Sequence, residues 1–572
     1  MNEIRSLLLF FLIALLIPST TFAQRYVLAD VNIVDVVKGT VQPRQHLVIE
    51  GKRIVDIVDN QQLITGRIER TFNLNGAYVM PGLWDMSVDN SLGTEWFNIM
   101  MAHGITGVRL MGVNPDSLAH WKERKEAGEA LPIVRGTAAP VAPTHPDSAW
   151  RDLESLQRAG VDFIDISPNQ SRTDFLAVLD AAERRRIPAV ATLPPDISIY
   201  EALRKGIVCS EGGNGILIAS SIQEEYLRDA AWGVRTDPGL ETEAGVRSFL
   251  METYSRQKAD SVTAILGRRG LWLCPTLTAQ EALGNMEDSI FRQDERMAYI
   301  SPQLRDDWEA KAKNPQLSWS HFAVERALFE ILRNLTGRYE VTKVPVLAGS
   351  GTGQPYVFPG SGLHDELAHL VDGGMTIQTA LQTATLNPVR FFGLESDYGS
   401  VEVGKIADLV ILDRNPLLDI RHTREVKGVV LDGKYYQKLA LQMKMATIED
   451  RHKRQEIIPM MITAFETGGA EALRQQYKDL EAEDIFKRKY NFDESSLEEV
   501  GRRLMEMGEY ESAIEVFQLN AGAYPRSWRV YRSLGEAYEL AEKPEQALSS
   551  FKKAAELAPG NYDLQAAIDR LK

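Results

Sequence analysis

The sequence predicts an α/β protein with a central parallel β/α region and an all-helical C-terminal part. Between about residues 81 and 398, short β-branched or apolar runs alternate with longer helical stretches, the pattern of a parallel β/α fold. Strand-like runs also lie before and after this region, and from about Leu439 the chain is helical and charged with no strand signal. At 572 residues the chain has room for two or three domains.

Eight runs predict the strands of the central region. They are Gly82–Met86, Ile105–Met111, Ile133–Ala138, Phe163–Ser167, Ala189–Leu193, Ile207–Glu211, Leu271–Leu277 and Val344–Gly349. Eight such strands suit a TIM barrel, in which the chemistry lies at the C-terminal ends of the strands.

Short strands are also predicted on both sides of the barrel. Tyr26–Asp35 and His46–Gly51 precede it, and Gly399–Asp413 and Val429–Lys434 follow it.

The first 23 residues predict a secretory signal peptide. Arg5 precedes an unbroken apolar run from Leu7 to Ile17, and a small residue, Ala23, ends the segment. The run is too short to cross a bilayer, which needs roughly 20 apolar residues. We therefore predict cleavage before Gln24, export to the periplasm or the medium, and no stable membrane anchor afterwards. An uncleaved anchor is the alternative.

Composition limits the classes of partner. The formal net charge is −15, whereas nucleic acids and anionic membranes are bound by clustered Lys and Arg. The sequence thus predicts no nucleic-acid partner. The apolar content of 44% and the charged content of 25% are those of a soluble globular protein.

The chain has two cysteines, Cys209 and Cys274, and both lie in predicted strands. Two separate buried thiols are the favoured interpretation. A disulfide is the alternative in an oxidising compartment.

The C-terminal part contains an internal repeat with a period of 34 residues. Gly501, Ala513, Phe517 and Pro525 recur as Gly535, Ala547, Phe551 and Pro559. The period is that of tetratricopeptide repeats, in which small residues let two helices approach while aromatic residues fill the groove. Residues 495–572 are predicted to hold two repeats and a capping helix, after a helical linker or degenerate repeat at residues 439–494. Such repeats offer a groove for a peptide or a protein partner.

Two segments resemble the amidohydrolase superfamily, and in particular its imidazolonepropionase-like branch. Pro81-Gly82-Leu83-Trp84-Asp85-Met86 resembles the opening barrel strand of that family, and Gly399–Val410 resembles its Gly-Ser-Ile-x-x-Gly-Lys-x-Ala-Asp-Leu-Val signature. The resemblance implies a TIM barrel over residues 81–398 and a composite β-sandwich from residues 24–80 and 399–438. It also implies descent from metal-dependent hydrolases of non-peptide C–N bonds in amides or cyclic amides.

All six metal-ligand positions of the family carry other residues in this chain. In the order of the strands these positions are Ser87, Asp89, Asp165, Thr192, Gly212 and Gly351. The family would use zinc or another divalent metal, which needs imidazole and carboxylate ligands around an open position for water. We therefore assign no catalytic residue, no metal ligand and no cofactor, and we predict a degenerate metal site in a pseudoenzyme.

Four acidic residues keep a second interpretation open. Asp85, Asp89, Asp165 and Glu211 are predicted to lie near the mouth of the barrel, where they could bind a hard cation such as Ca²⁺ or Mg²⁺ or act as an acid–base pair. The structural interpretation makes Asp85 and Glu211 scaffold residues. The sequence thus favours a protein that binds an unknown small molecule or acts as a scaffold, and the alternative is an active hydrolase that uses these carboxylates.

Two histidines outside the metal positions also match the family. His103 is predicted to be a packing residue, and His364 is predicted to have a role at the start of a helix.

Overall fold

The computed structural model describes residues 25–89, 95–137, 141–142, 148–231, 237–240, 242–315, 317–487, 489–558 and 562–572. The predicted signal peptide lies outside the described residues. The chain is mixed α/β with a helical C-terminal region, and it divides into two compact units, Met1–Ala446 and Thr447–Lys572. A search of the described helices finds none with the length and apolar character required to cross a membrane.

The strands of the first unit are short except at its N-terminus. They are β1 (Arg25–Asp35), β2 (Thr40–Glu50), β3 (Arg53–Asp59), β4 (Arg70–Pro81), β5 (Leu83–Asp89), β6 (Ile105–Met111), β7 (Ile133–Gly136), β8 (Ile164–Ile166), β9 (Ala189–Thr192), β10 (Ile207–Glu211), β11 (Trp272–Cys274), β12 (Leu409–Leu412), β13 (Val426–Leu431) and β14 (Lys434–Gln437).

The α-helices of this unit lie mostly between β5 and β12. They are α1 (Glu95–Ala102), α2 (Pro115–Glu126), α3 (Ala149–Arg158), α4 (Arg172–Arg185), α5 (Ile199–Arg204), α6 (Asn214–Ser220), α7 (Glu224–Ala231), α8 (Glu243–Thr253), α9 (Arg256–Arg269), α10 (Leu277–Asn285), α11 (Pro302–Ala312), α12 (Trp319–Thr342), α13 (Ser361–Asp372), α14 (Ile377–Thr383), α15 (Leu386–Phe391) and α16 (Lys438–Lys453), the last of which continues into the second unit.

One sheet draws strands from both ends of the first unit. Its order is β14-β13-β12-β4-β1-β2-β3, and β4 pairs in parallel with β1 and antiparallel with β12. Alternate apolar side chains of these strands form a separate core that includes Leu28, Leu47 and Leu409, each at most 1% exposed. β3 and β4 are strands that the sequence pattern did not predict.

The central strands pair in parallel and in chain order. β5, β6 and β7 form one sheet, and β8, β9, β10 and β11 form another. Single parallel bridges extend the series, from Val141 to Ile166 and from Leu273 to Val346.

The predicted strand Val344–Gly349 is not a regular strand. Its hydrogen bonds go to three different segments: Leu347 N donates to Leu273 O, Ala348 O accepts from Met86 N, and Ala348 N donates to Thr383 O. Because its partners change from residue to residue, the segment forms no continuous ladder, although it connects β11 with β5.

The described residues of the second unit are helical apart from one very short pair of strands. β15 (Gln455–Glu456) pairs in parallel with β16 (Tyr490–Asn491), which corrects the prediction that no strand follows Leu439. Its helices are α17 (Ile458–Lys487), α18 (Glu494–Glu506), α19 (Tyr510–Ala523), α20 (Trp528–Leu540), α21 (Pro544–Leu557) and α22 (Tyr562–Arg570). Gly468 and Gly469 have non-helical dihedral angles and interrupt α17.

The two helix pairs α18–α19 and α20–α21 are related by the sequence period. Each helix of the second pair begins and ends 34 residues after its counterpart. A Cβ atom on Gly501 would lie 2.5 Å from the ring of Phe517, and one on Gly535 would lie 2.8 Å from the ring of Phe551. Both pairs therefore pack a phenylalanine ring directly against a glycine backbone.

Candidate functional site

A cavity of about 630 Å³ opens at the C-terminal ends of the parallel strands. The strand ends contribute Ser87, Asp89, Met111, Asp165, Thr192 and Glu211 to its lining. The loops and helices that follow the strands contribute Gly212, Gly213, Asn214, Arg247, Pro275, Thr276, Ala279, Gln280, Leu283, Met286, Lys311, Asn314, Leu317, Gly351, Thr352, Gln354 and Pro355. The structure thus places all six residues of the predicted degenerate metal site around one cavity.

Four of the six positions carry no strong metal ligand. Ser87 and Thr192 present only neutral hydroxyl groups, and Gly212 and Gly351 have no side chain. Gly351 also has a positive φ of 74°, and a Cβ atom there would lie 2.6 Å from the Cβ of Ala279. An acidic side chain at position 351 would therefore require a shift of α10.

Asp85 does not line the cavity, which corrects its place in the predicted carboxylate cluster. Its side chain is fully buried, where Oδ1 accepts from the backbone N–H of Ser350 at 2.9 Å and Oδ2 accepts from the hydroxyl of Ser350 at 2.6 Å. Burial raises the pKa of Asp85 to about 6, although these hydrogen bonds oppose the shift. The hydrogen bonds of Asp85 therefore connect β5 to Ser350, in the segment that follows Val346.

Glu211 lines the cavity but is held by a buried arginine. Nη2 of Arg109 lies 2.7 Å from Oε1 and 2.8 Å from Oε2 of Glu211. Arg109 is 0% exposed, donates from Nε to Met86 O, and lies 5.5 Å from the ring centre of Phe163. The sequence interpretation missed Arg109, although a charged residue inside the apolar run Ile105–Met111 was a signal for it.

The two thiols lie beside this ion pair. Cys209 and Cys274 are both free and buried, and Sγ of Cys209 is 3.2 Å from Oε1 of Glu211. Burial raises the pKa of each thiol well above its usual value. Both are therefore protonated packing groups near neutral pH.

Asp165 and Asp89 are the other carboxylates of the cavity. Burial raises the pKa of Asp165 to about 7, and the negative charge of Glu211 adds to the shift while Arg109 opposes it. Asp89 is exposed at the end of β5, where its backbone N–H donates to Thr352 O at 2.7 Å. A protonated Asp165 can donate as well as accept a hydrogen bond near neutral pH.

A second buried arginine, Arg247 on α8, lies in the cavity wall. Its guanidinium donates through Nε and Nη2 to the carboxylate of Glu325, through Nη1 to Oδ1 of Asn214 at 2.6 Å, and through Nη2 to Oε1 of Gln280 at 3.0 Å. No periodic pattern or motif in the sequence predicted this group, because its members come from four separate helices.

The two histidines that match the family lie away from the cavity lining. Nδ1 of His364 is 3.0 Å from the hydroxyl of Thr423, and Nε2 is 3.0 Å from the carbonyl oxygen of His103. Burial lowers the pKa of His364 to about 3 and that of His103 to about 4. The geometry fits the predicted structural roles.

The residues present do not fit a catalytic transition metal. Among the described residues, the cavity lining includes no histidine or cysteine, and no three or more His, Cys, Asp or Glu side chains are arranged to hold an ion. Glu211 is already neutralised by Arg109, whose positive charge would repel a cation at the same carboxylate.

Residues 360–435 match the model of the amidohydrolase family. They run from the residue before α13 to within β14, and so they include the signature at Gly399–Val410. No curated protein matches the sequence.

Solved structures of amidohydrolase-type enzymes are similar to about three quarters of this chain. They include a bottromycin amidohydrolase (19% identity, TM-score 0.56, covering 74% of this chain and 90% of that one) and a Xaa-Pro dipeptidase with bound methionine (16%, 0.52, 72% and 100%). A third is described as a putative prolidase from Bifidobacterium longum (18%, 0.51, 75% and 99%). At these identities the similarity shows a shared fold and leaves the activity to be argued from the cavity.

Proposed function

We propose that residues 81–398 form a (β/α)8 barrel whose cavity binds a small molecule and has lost the metal-dependent hydrolysis of its relatives. The observation that carries the proposal is the ion pair of Arg109 and Glu211 beneath the strand ends. A fixed guanidinium lies beneath the strand ends at which the family resemblance expects a metal centre, and the described residues that line the cavity include no histidine.

Hydrolysis of an amide needs an activated water and a group that stabilises the developing oxyanion. Ser87, Thr192, Gly212 and Gly351 supply neither a metal ligand nor a base. The mixed polar and apolar lining still suits recognition of a small molecule, because pockets of this size combine apolar walls with a few placed polar groups.

The proposal extends to the rest of the chain. The segment before Gln24 is proposed to direct export to the periplasm or the medium. N-terminal sequencing of protein recovered from the periplasm or medium tests export, with Gln24 expected as the first residue.

The second unit is proposed to be a tetratricopeptide module that binds a peptide or protein. The 34-residue offset of its helices and the repeated glycine–phenylalanine contact support this proposal.

The second candidate function is metal-independent acid–base catalysis by Asp165. It is favoured by the raised pKa of this carboxyl group, since an acid catalyst works best when its pKa is near the working pH. A hydrolase of this kind would lose its activity in Asp165→Asn.

Metal analysis and activity assays test the proposal together. We expect purified protein to retain no stoichiometric zinc, manganese or iron, and to hydrolyse amide, dipeptide and lactam substrates no faster than buffer. Stoichiometric metal, or turnover abolished by Ser87→Ala or Asp89→Ala, would overturn it. Turnover that needs no metal and is lost only in Asp165→Asn would support the second candidate.

A further inference from the structure

Arg247 is held in the cavity wall by a network that uses most of its hydrogen-bonding capacity. Its partner Glu325 is 1% exposed and lies behind it, whereas Asn214 and Gln280 line the cavity beside it. Gln280 also donates from Nε2 to Glu325 at 2.7 Å, so that one carboxylate fixes both side chains. The guanidinium is therefore fixed in position at the cavity surface.

Two nitrogen atoms at this point of the cavity wall, Nη1 of Arg247 and Nδ2 of Asn214, still have N–H groups that no described side chain accepts. A guanidinium has five N–H groups, and the described side chains accept from four of those on Arg247, which leaves one on Nη1. Asn214 accepts from Nη1 through Oδ1, which leaves its amide nitrogen as a donor next to Arg247. Neighbouring N–H groups on a charged and a neutral side chain suit the two oxygens of a carboxylate.

Other parts of the lining restrict what such a carboxylate could be attached to. Asp165 in β8 lines the same cavity, and its burial disfavours a second negative charge nearby. A ligand with an ammonium group would compensate Asp165, and the hydroxyl groups of Ser87 and Thr192 could accept from that ammonium. Methylene groups of the same ligand would meet Leu283 and Met286.

We propose that the cavity binds a small zwitterion, with its carboxylate on Arg247 and Asn214 and its ammonium group toward Asp165. The inference rests on the proposed ligand-binding function and names the chemical class of the ligand. The network around Arg247 supports it independently, because a buried arginine–glutamate pair contributes little to stability by itself.

Titration calorimetry with linear ω-amino acids of increasing chain length tests the class of ligand. Two matched probes have the same chain length as the ω-amino acid that binds best. The alkylamine lacks the carboxylate, and the alkanoate lacks the ammonium group. We expect each of them to bind at least about tenfold more weakly, as the loss of one charge-assisted contact implies. Equal binding of the amine or of the alkanoate, or no binding by any member of the series, would overturn the inference.

Asn214→Asp is the variant that tests the donor pair. Aspartate keeps an oxygen that can accept from Arg247, so the fold should persist. It replaces the amide donor with a negative charge, which should repel the carboxylate of the ligand. Asn73→Asp is the matched control, since Asn73 is exposed in β4 and accepts from the backbone N–H of Asn75 through the oxygen that aspartate retains. We expect binding to be lost in the first variant and unchanged in the second; unchanged binding in Asn214→Asp would overturn the assignment.

The two proposals fail in different experiments. Metal-dependent hydrolysis would overturn the proposed function, whichever ligand binds. If calorimetry shows no preference for ligands that carry both charges, only the inference of a zwitterionic ligand is overturned. Circular dichroism of each variant separates loss of binding from loss of the fold.

Discussion

The guanidinium of Arg109 on β6 and the carboxylate of Glu211 on β10 form a buried ion pair between strands that are not neighbours. One nitrogen, Nη2, lies within 2.8 Å of both carboxylate oxygens. The positive charge of Arg109 keeps the pKa of Asp165 below the value that burial and the negative charge of Glu211 would produce without it.

Arg109→Met should destabilise the first unit strongly. Removal of one partner leaves Glu211 as an uncompensated buried charge, which typically costs about 3–5 kcal/mol, whereas replacement of both partners by apolar residues is often close to neutral. We therefore expect urea denaturation to show a large loss for Arg109→Met and a substantial recovery in the double variant Arg109→Met/Glu211→Leu. If the loss of unfolding free energy in the double variant equals the sum of the losses in the two single variants, the residues do not act as a pair.

Asp165→Asn should stabilise the protein in a pH-dependent way. The pKa of Asp165 is about 7 in the folded chain, whereas the ordinary value of an aspartic acid is 3.8. The unfolded state therefore releases this proton more easily, and wild-type stability falls as the pH rises from about 4 to about 7. Asparagine removes that loss, and the gain at pH 8 should be on the order of 4 kcal/mol, since the two pKa values differ by about three and one pKa unit corresponds to about 1.4 kcal/mol.

Thermal melts between pH 4 and pH 8 measure this effect. The difference between Asp165→Asn and wild type should be largest at pH 8 and should shrink toward pH 4. Asp180→Asn, which removes an exposed ion pair with Lys205, is the control and should show little change across the range. A difference for Asp165→Asn that is independent of pH would contradict the proposed protonation.

Millimolar Ca²⁺ or Mg²⁺ should leave the melting temperature of the wild-type protein unchanged. A cation that binds only the folded state would raise it by mass action, but Arg109 already neutralises Glu211, and Asp85 is hydrogen-bonded away from the cavity. Differential scanning calorimetry with and without each cation provides the measurement. A reproducible rise that Asp89→Asn or Asp165→Asn removes would establish the hard-cation site that the sequence left open.

Ala547→Leu should loosen the second unit selectively. Ala547 is 0% exposed on α21, and overpacking of a close helix contact typically costs about 1–3 kcal/mol. Ala523, exposed at the end of α19, gives the matched control Ala523→Leu. Limited proteolysis should cut Ala547→Leu within the second unit and leave a core fragment that ends between about Leu439 and Leu497. Joint unfolding of both units would show that the second unit is an integral part of the core.

Much of the local structure could be predicted from sequence, because strand and helix patterns are properties of neighbouring residues. Ile105–Met111 and Ile207–Glu211 were predicted with the bounds that the structure has, and the 34-residue period anticipated the offset of α18 and α20. β4 was missed because Asn73, Asn75 and Gly76 interrupt its apolar pattern. Val344–Gly349 was predicted as a strand although its hydrogen-bond partners change along its length.

The sequence by itself determined which residues occupy the six positions that the family resemblance assigns to metal ligands, since residue identity and spacing show that none of the six is a histidine. Only the tertiary structure decided what the neighbouring charges do. In the folded chain, Asp85 is hydrogen-bonded to Ser350, and Arg109 is paired with Glu211. Arg247 contacts Glu325, Asn214 and Gln280. The physical reason is that a buried charge is stabilised by partners close in space, and those partners lie between 33 and 265 residues away along the chain.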